Sequence, residues 1–393
     1  MSRLHALALA PIVFFPGYST TLMKVTVSGQ QAVAGCAASG SFGEGIGSPL
    51  PSTYDQVCRD KLLTLRFHPS QPPAKRIVRI AGVKVTFPDY GAPASAPVYT
   101  QLFDALEKAG YVAGKDLRVA GYDWRLTPDL GGFMRRTVRL VEQTYRANGG
   151  RRVRLVGHSN GPLYAQYLLT HRSAAWKRRY IQGFTSIAGN LPGQGGTWTW
   201  VFSGFNASTA SFPSDADNAR SSARLAALSP ATWMSSPDPK FFKRTETIVA
   251  DQTTGRRYTP ADTAALVKDA KLGFAKSLID HYVGFVKFAD PPDFPNVDVT
   301  AEKGSALPTQ VGIALPDLRL GQVIDPATAA FIEQPGDGNQ EDVTNNAIQA
   351  WSAMRCYRFS LHDNPHVDHV ALPFDKNVIG RLLADAARKP SNC

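Results

Sequence analysis

The run Val153-Arg154-Leu155-Val156-Gly157-His158-Ser159-Asn160-Gly161-Pro162-Leu163-Tyr164-Ala165-Gln166-Tyr167-Leu168-Leu169 decides how this chain is read. Its first four residues are a β-rich segment, and its centre is a GxSxG. In the residues that follow, Leu163/Tyr167 and Tyr164/Leu168 pair at i,i+4 spacing, the signature of a helix. Pro162 suits the first helical turn, where its missing N–H costs little. Strand, sharp turn and helix in this order force the serine into a strained backbone. The flanking positions then come too close to their neighbours for side chains, a demand that Gly157 and Gly161 meet. Ser159 stands at a helix N-terminus, where the dipole favours developing negative charge. It is the candidate nucleophile.

Upstream, Ile12-Val13-Phe14-Phe15-Pro16-Gly17 reads as a buried strand and its turn. An acyl-transfer nucleophile needs two backbone N–H groups for its oxyanion. One belongs to Asn160, just after the serine. The other is expected from the Pro16-Gly17-Tyr18-Ser19 turn, at Ser19, with Tyr18 beside it. Residues 33–57 are rich in Gly, Ser, Ala and Pro and read as a long loop. Residues 100–110 (TQLFDALEKAG) are amphipathic, with Leu102, Phe103, Leu106 and Ala109 on one face, and residues 118–122 read as a strand. Residues 197–300 are irregular and read as a cap. Strand-like segments resume at 310–314, 329–333 and 356–361, and residues 375–388 read as a closing helix. The alternation predicts an α/β chain with a mostly parallel central sheet and helices on both faces. With the elbow it predicts the α/β-hydrolase fold carrying lid or cap insertions.

In that fold the acid and then the histidine follow the serine. The acidic candidates lie in Gly336-Asp337-Gly338-Asn339-Gln340-Glu341-Asp342-Val343-Thr344, and the histidines are His362, His366 and His369. Spacing leaves these choices open. The same histidines with Asp363 and Asp368 form a rival metal set. Their spacing matches no zinc pattern, and Asn364-Pro365 interrupts any single helix face, so no metal is expected.

Composition narrows the partners. The 393 residues are 43% apolar with a formal net charge of +11. No run approaches the ~18 apolar residues of a membrane span. Basic residues are scattered or in short groups (Arg151, Arg152 and Arg154; Lys177 to Arg179), without a nucleic-acid module. An anionic membrane surface fits better, at roughly 1 kcal/mol per nearby Lys or Arg. Cys36, Cys58, Cys356 and Cys393 form no CxxC pair, and an even, widely spaced set suits two disulfides and an oxidising compartment. The N-terminal apolar run resembles a short signal peptide but passes directly into the first strand and its turn, so no signal peptide is expected in this chain.

The chain resembles the lecithin:cholesterol acyltransferase and lysosomal phospholipase A family. The resemblance rests on PIVFFPGYSTTLM (11–23), YDWR (122–125) and VGHSNG (156–161). It extends to WKRRYIQGFTS (176–186), the glycines 195–196, the GDG cluster and a histidine before the last helix. It implies Asp342 as the acid, counted back from Val343-Thr344, with Asp337 as the alternative because Asn-Gln-Glu is inserted. It implies His369 as the base and disulfides Cys36–Cys58, closing a membrane-binding loop, and Cys356–Cys393. It divides the chain into core (1–32), membrane-binding loop (33–61), core with the elbow (62–196), lid and cap (197–299) and core (300–393). The lid proper is 197–215, opening with Trp198, Trp200, Phe202 and Phe205. Asp123 and Arg125 read as a structural ion pair. The implied activity is cofactor-free, serine-dependent lipid acyl hydrolysis or O-acyl transfer. A glycerophospholipid is the donor, and water or a lipophilic alcohol is the acceptor. The setting is secreted or lumenal and peripheral to membranes. The alternatives are a general esterase or neutral-lipid lipase on the same fold, and a non-catalytic lipid-binding protein.

Overall fold

The computed structural model describes residues 9–29, 33–68, 77–78, 80–205 and 211–393. The parts of the expected segments that fall on 1–8, 30–32, 69–76, 79 and 206–210 lie outside the described residues. The central sheet has six strands in the order Phe359–Pro365, Val299–Ser305, Ile181–Ile187, Val153–His158, Ile12–Phe15, Leu117–Val119. Every neighbouring pair is parallel, as the α/β reading required.

Alternation along Ile12–Phe15 explains the layering, because successive side chains leave a strand on opposite faces. Val13 and Phe15 join a core with Phe133, Leu140, Leu163 and Tyr164 from helices Phe133–Ala147 and Gly161–Thr170. Ile12 and Phe14 join a second core with Leu102, Phe103 and Leu106 of Thr100–Lys108 and Val378 and Leu382 of Lys376–Ala387. Helices therefore cover both faces. Asp375 caps the last helix by accepting from the N–H groups of Asn377 and Val378, which fixes where it starts.

Arg154 of the basic group 151–154 turns inward. It is buried on the nucleophile strand, and its guanidinium reaches Asp385 at 2.9 Å and Gln182 at 2.8 Å, fastening the closing helix to the sheet. Burial pulls its pKa down to about 10, against the pull of Asp385.

Two regions differ from expectation. Residues 33–57 are not one loop, because Gly40–Glu44 pairs antiparallel with Met23–Val27, which also pairs with Val83–Thr86. The strands expected near 310–314 and 329–333 exist as Leu307–Leu315 and Ala330–Gly336, but outside the central sheet. They join Val249–Asp251 and Arg257–Tyr258 in a second, four-stranded sheet. That sheet crosses the boundary expected at residue 300. The buried apolar side chains Val249, Tyr258, Ile313 and Leu315 of its strands share one cluster with Trp198, Phe202 and Trp233 of the expected cap.

Disulfides join Cys36 to Cys58 and Cys356 to Cys393. The first closes a segment of sequence separation 22, from which the helix Gln56–Leu63 packs on Ala216–Ala227. Replacing Cys36 and Cys58 together with alanine is expected to cost about 3 kcal/mol by loosening constraint on the unfolded chain. Urea unfolding measures it, and an unchanged midpoint would refute a stabilising role.

Candidate active site

Ser159 sits between the strand Val153–His158 and the helix Gly161–Thr170, with φ of 61°, in the left-handed region. That conformation costs a non-glycine residue of order 1–3 kcal/mol and persists only where its surroundings enforce it. Here they do. The Ser159 N–H donates to the Ile187 carbonyl and its own carbonyl accepts from the Asn190 N–H, both at 3.0 Å. A Cβ at position 161 would lie 2.0 Å from the Phe15 carbonyl oxygen, and one at 157 would lie 2.7 Å from the Pro162 nitrogen. Both glycines of the motif are thus demanded by backbone on the other side.

The turn after Ile12–Phe15 reaches the serine. A carbon at Gly17 would come within 3.2 Å of Ser159 Cβ. Ser19 is fully buried at φ 57°, and its carbonyl accepts from the Ile46 N–H at 2.8 Å. Asn160 is fixed through its side chain: its Nδ2 donates to Ser235 Oγ at 2.8 Å, and its Oδ1 accepts from Asn190 Nδ2 at 2.9 Å. Tyr122 clamps the turn from the side. Its hydroxyl donates to the Pro16 carbonyl at 2.6 Å, and its ring stacks on Tyr164 of the elbow helix at 3.7 Å. Asp123 and Arg125 do form the expected ion pair, at 2.6 Å, with Arg125 also donating to the Leu63 carbonyl.

The carboxylate brought to His369 is Asp337, not Asp342. Asp337 follows directly on Ala330–Gly336 and is 0% exposed. Its Oδ2 lies 3.0 Å from His369 Nδ1, and its Oδ1 accepts from the N–H groups of Gln340 at 2.7 Å and Asn339 at 3.0 Å. Its carbonyl accepts from the His369 N–H at 2.8 Å. Burial works against its charged form, but the His369 ring and the donors outweigh it, and the Asp337 pKa ends below the usual carboxylate value. Asp342 instead opens the helix Asp342–Ala347. Counting back from Val343-Thr344 leads to a residue away from His369, because the inserted Asn339, Gln340 and Glu341 belong to the turn that closes on Asp337.

Of the three histidines, His369 is buried, His362 is half-buried in Phe359–Pro365, and His366 is exposed. His369 also meets the elbow, with its ring centroid 4.9 Å from that of His158. Among the described residues no group of three or more His, Cys, Asp or Glu side chains is arranged to hold a metal ion.

The aromatic opening of the expected lid divides. Trp198 and Phe202 of the helix Gly196–Ser203 are core, whereas Trp200 and Phe205 are half-buried and stack at 5.7 Å. Trp200 lies 5.8 Å from Tyr18 of the turn after Ile12–Phe15, and Phe205 lies 5.1 Å from Phe212, so the rings form a row from that turn. Sequence reading did not single out Glu341. Its Oε1 accepts from the Gly195 N–H at 2.9 Å, tying the acid turn to the start of that helix. Burial pushes its pKa up to about 8. A glutamate directly beside the candidate acid was the available signal.

A family model described as Lecithin:cholesterol acyltransferase matches residues 68–290, more than half of the chain. "Lecithin-cholesterol acyltransferase-like 1" of Oryza sativa subsp. japonica is 25% identical over 400 residues, covering 98% of this chain and 88% of the relative. "Lysosomal phospholipase A and acyltransferase" of Homo sapiens is 27% identical over 304 residues, covering 75% and 69%. "Phosphatidylcholine-sterol acyltransferase" of Homo sapiens is 36% identical over 116 residues, covering 27% and 26%.

Glu341 generates a pH prediction. A carboxyl whose folded pKa is raised costs nothing while both states are protonated. It costs progressively more as pH rises from the unfolded value of about 4.3 to the folded one. Glu341→Gln keeps the acceptor for Gly195 and cannot ionise. It is therefore expected to match wild type in stability near pH 4 and to exceed it increasingly up to about pH 8. Urea midpoints across that range test this, and parallel curves would refute it.

Proposed function

The chain belongs to the lecithin:cholesterol acyltransferase family, and on that premise we propose that it is a serine acyl hydrolase and O-acyltransferase acting on phospholipid acyl esters. The observation that carries the reading is the buried Asp337–His369 pair, whose imidazole lies 4.9 Å from that of His158, the residue before the strained Ser159.

Ser159 is the nucleophile, His369 the base and Asp337 the acid. Asp337 holds His369 Nδ1–H, leaving Nε2 to take the Ser159 proton as the hydroxyl attacks the ester carbonyl. The N–H groups of Ser19 and Asn160 stabilise the oxyanion. The imidazolium returns its proton to the departing lysophospholipid, leaving the acyl group on Ser159. Water or an alcohol, deprotonated by His369, then releases it as fatty acid or ester. Every proton is carried by His369, so the cycle calls for no cofactor. The fixed donors on Asp337 Oδ1 support its assignment, because they keep it ionised while the ring charges.

The two disulfides suit a lumenal or secreted protein. Among the described residues no helix is long and apolar enough to cross a membrane. The segment 33–61 is the proposed membrane-binding loop, residues 197–215 the lid, and the net charge of +11 favours anionic lipid.

Ser159→Ala is expected to abolish fluorophosphonate labelling and lower turnover about a millionfold. Asp337→Asn is expected to lower kcat about 10⁴-fold, because an amide cannot stabilise the imidazolium, and Asp342→Asn less than tenfold. The reverse ranking would move the acid to Asp342. On anionic phospholipid vesicles carrying a lipophilic alcohol, labelled acyl chains are expected in both free fatty acid and the alcohol ester. No ester at any alcohol loading would reduce the activity to hydrolysis.

A further inference from the structure

We propose that Tyr99 and His158 are positioning residues for acyl transfer, forming one hydrogen-bonded chain that fixes the oxyanion turn and the catalytic histidine relative to each other across Ser159. This rests on the assignment of Ser159 and His369 above and adds to it two residues outside the proposed triad.

The chain has four members. The Gly17 N–H donates to the Tyr99 hydroxyl at 2.8 Å. Tyr99 Oη lies 2.8 Å from His158 Nδ1. His158 Nε2 lies 3.0 Å from the His369 carbonyl oxygen. A carbonyl can only accept, so Nε2 carries the proton. A ring buried to this degree is neutral at working pH: burial, with His369 adding to it, pulls the His158 pKa down to about 3. Neutral with its proton on Nε2, the ring has a bare Nδ1, which accepts from the Tyr99 O–H. The Tyr99 oxygen then accepts the Gly17 N–H. Each donor has an acceptor, and the proton order runs in one direction from Gly17 to His369.

The two ends of this chain are the parts that must agree in position. Gly17 belongs to the turn that carries Ser19 and lies against Ser159 Cβ. His369 has its N–H on the Asp337 carbonyl and its Nδ1 on the Asp337 carboxylate, while the His158 bond holds its own carbonyl. Asp337 alone ties the histidine to the acid turn. His158 ties it to the elbow, one residue from the nucleophile. Acyl transfer depends steeply on such placement, and a displacement near 1 Å costs on the order of 100-fold in rate.

Tyr99 can lose its hydroxyl without losing its packing, because its ring rests on Phe14 at 4.6 Å and on Phe103 at 6.1 Å. Tyr99→Phe leaves Gly17 N–H and His158 Nδ1 without partners and frees His158 to move its proton to Nδ1, which releases the His369 carbonyl. His158→Gln keeps a donor where Nε2 stood.

The test uses the full chain with ¹⁵N-labelled histidine and a phospholipid vesicle assay. Wild type is expected to hold His158 as the Nε2–H tautomer, with its resonance identified by its loss in His158→Gln. Tyr99→Phe is expected to lower kcat roughly 10- to 100-fold with KM within about twofold, and to slow fluorophosphonate labelling in parallel. Adding Tyr99→Phe to His158→Gln is expected to cost less than the product of the two single effects, since both break one chain. An Nδ1–H tautomer in wild type, a Tyr99→Phe kcat within about threefold of wild type, or independent effects in the double variant would overturn the proposal. Should Tyr99→Phe not fold, the wild-type tautomer alone decides. Activity persisting in Ser159→Ala would instead overturn the nucleophile assignment and leave the tautomer result standing.

Discussion

The Phe15 carbonyl occupies the space where any side chain at residue 161 would have to go. Most of the site follows from that approach. It brings the end of Ile12–Phe15 against the elbow, so that the turn beginning at Pro16 has Ser159 as its neighbour. It also makes the helix after the serine start abruptly, which is why Ser159 takes φ 61° instead of continuing the strand. Parallel pairing of Ile12–Phe15 with Val153–His158 sets the register, with Phe15 opposite Gly157. A slip of one residue would turn Phe15 from one core to the other and separate the turn from the nucleophile.

The acid reaches the site from a different layer. Ala330–Gly336 is an edge strand of the second sheet, and Asp337 is its continuation. A carbon at Gly304, near the end of the central strand Val299–Ser305, would lie 2.8 Å from Asp337 Cβ. The two sheets therefore meet at the acid, and His369 closes the gap from the loop after Phe359–Pro365. His369 is thereby held from both sheets, by Asp337 at the end of one and by His158 at the end of a strand of the other.

Much of this was legible in the sequence, and the reasons for the failures are local. The elbow, the first strand and the amphipathic helices each carry a short-range period that does not depend on partners. Leu307–Leu315 and Ala330–Gly336 were legible as strands, but which sheet they join is decided by Val249–Asp251, a three-residue strand inside an irregular stretch. Gly40–Glu44 was not legible, because in GSFGE only Phe42 is apolar and glycines dominate. Asp337 was held open and then ranked second, because spacing from Val343-Thr344 was followed instead of the distance from the strand end. The run Asp337-Gly338-Asn339 has the composition of a turn in which the aspartate accepts its own downstream N–H groups, and it is this turn that stands against His369. Tyr99 had no signal at all: a tyrosine at the start of an amphipathic helix looks like any core aromatic until His158 is seen opposite its hydroxyl.

The expected lid also resolves into parts with different physics. Its first residues are fixed. Gly195 is held by Glu341, the Thr197 hydroxyl donates to the Ser235 carbonyl at 2.9 Å, and Trp198 packs at 5.2 Å on Trp233. Ser235 in turn accepts from Asn160, the residue after the nucleophile. A helix tied this closely to both the acid turn and the elbow cannot swing as a unit without disturbing the catalytic groups. Gly204 at φ 72° ends that helix, so the anchored part of the proposed lid stops at Ser203. Trp200 and Phe205 then lie at the boundary, one on the anchored side and one beyond it. The stack between them, at 5.7 Å, joins the anchored helix to the residues beyond it, and through Trp200 it adjoins Tyr18 at 5.8 Å.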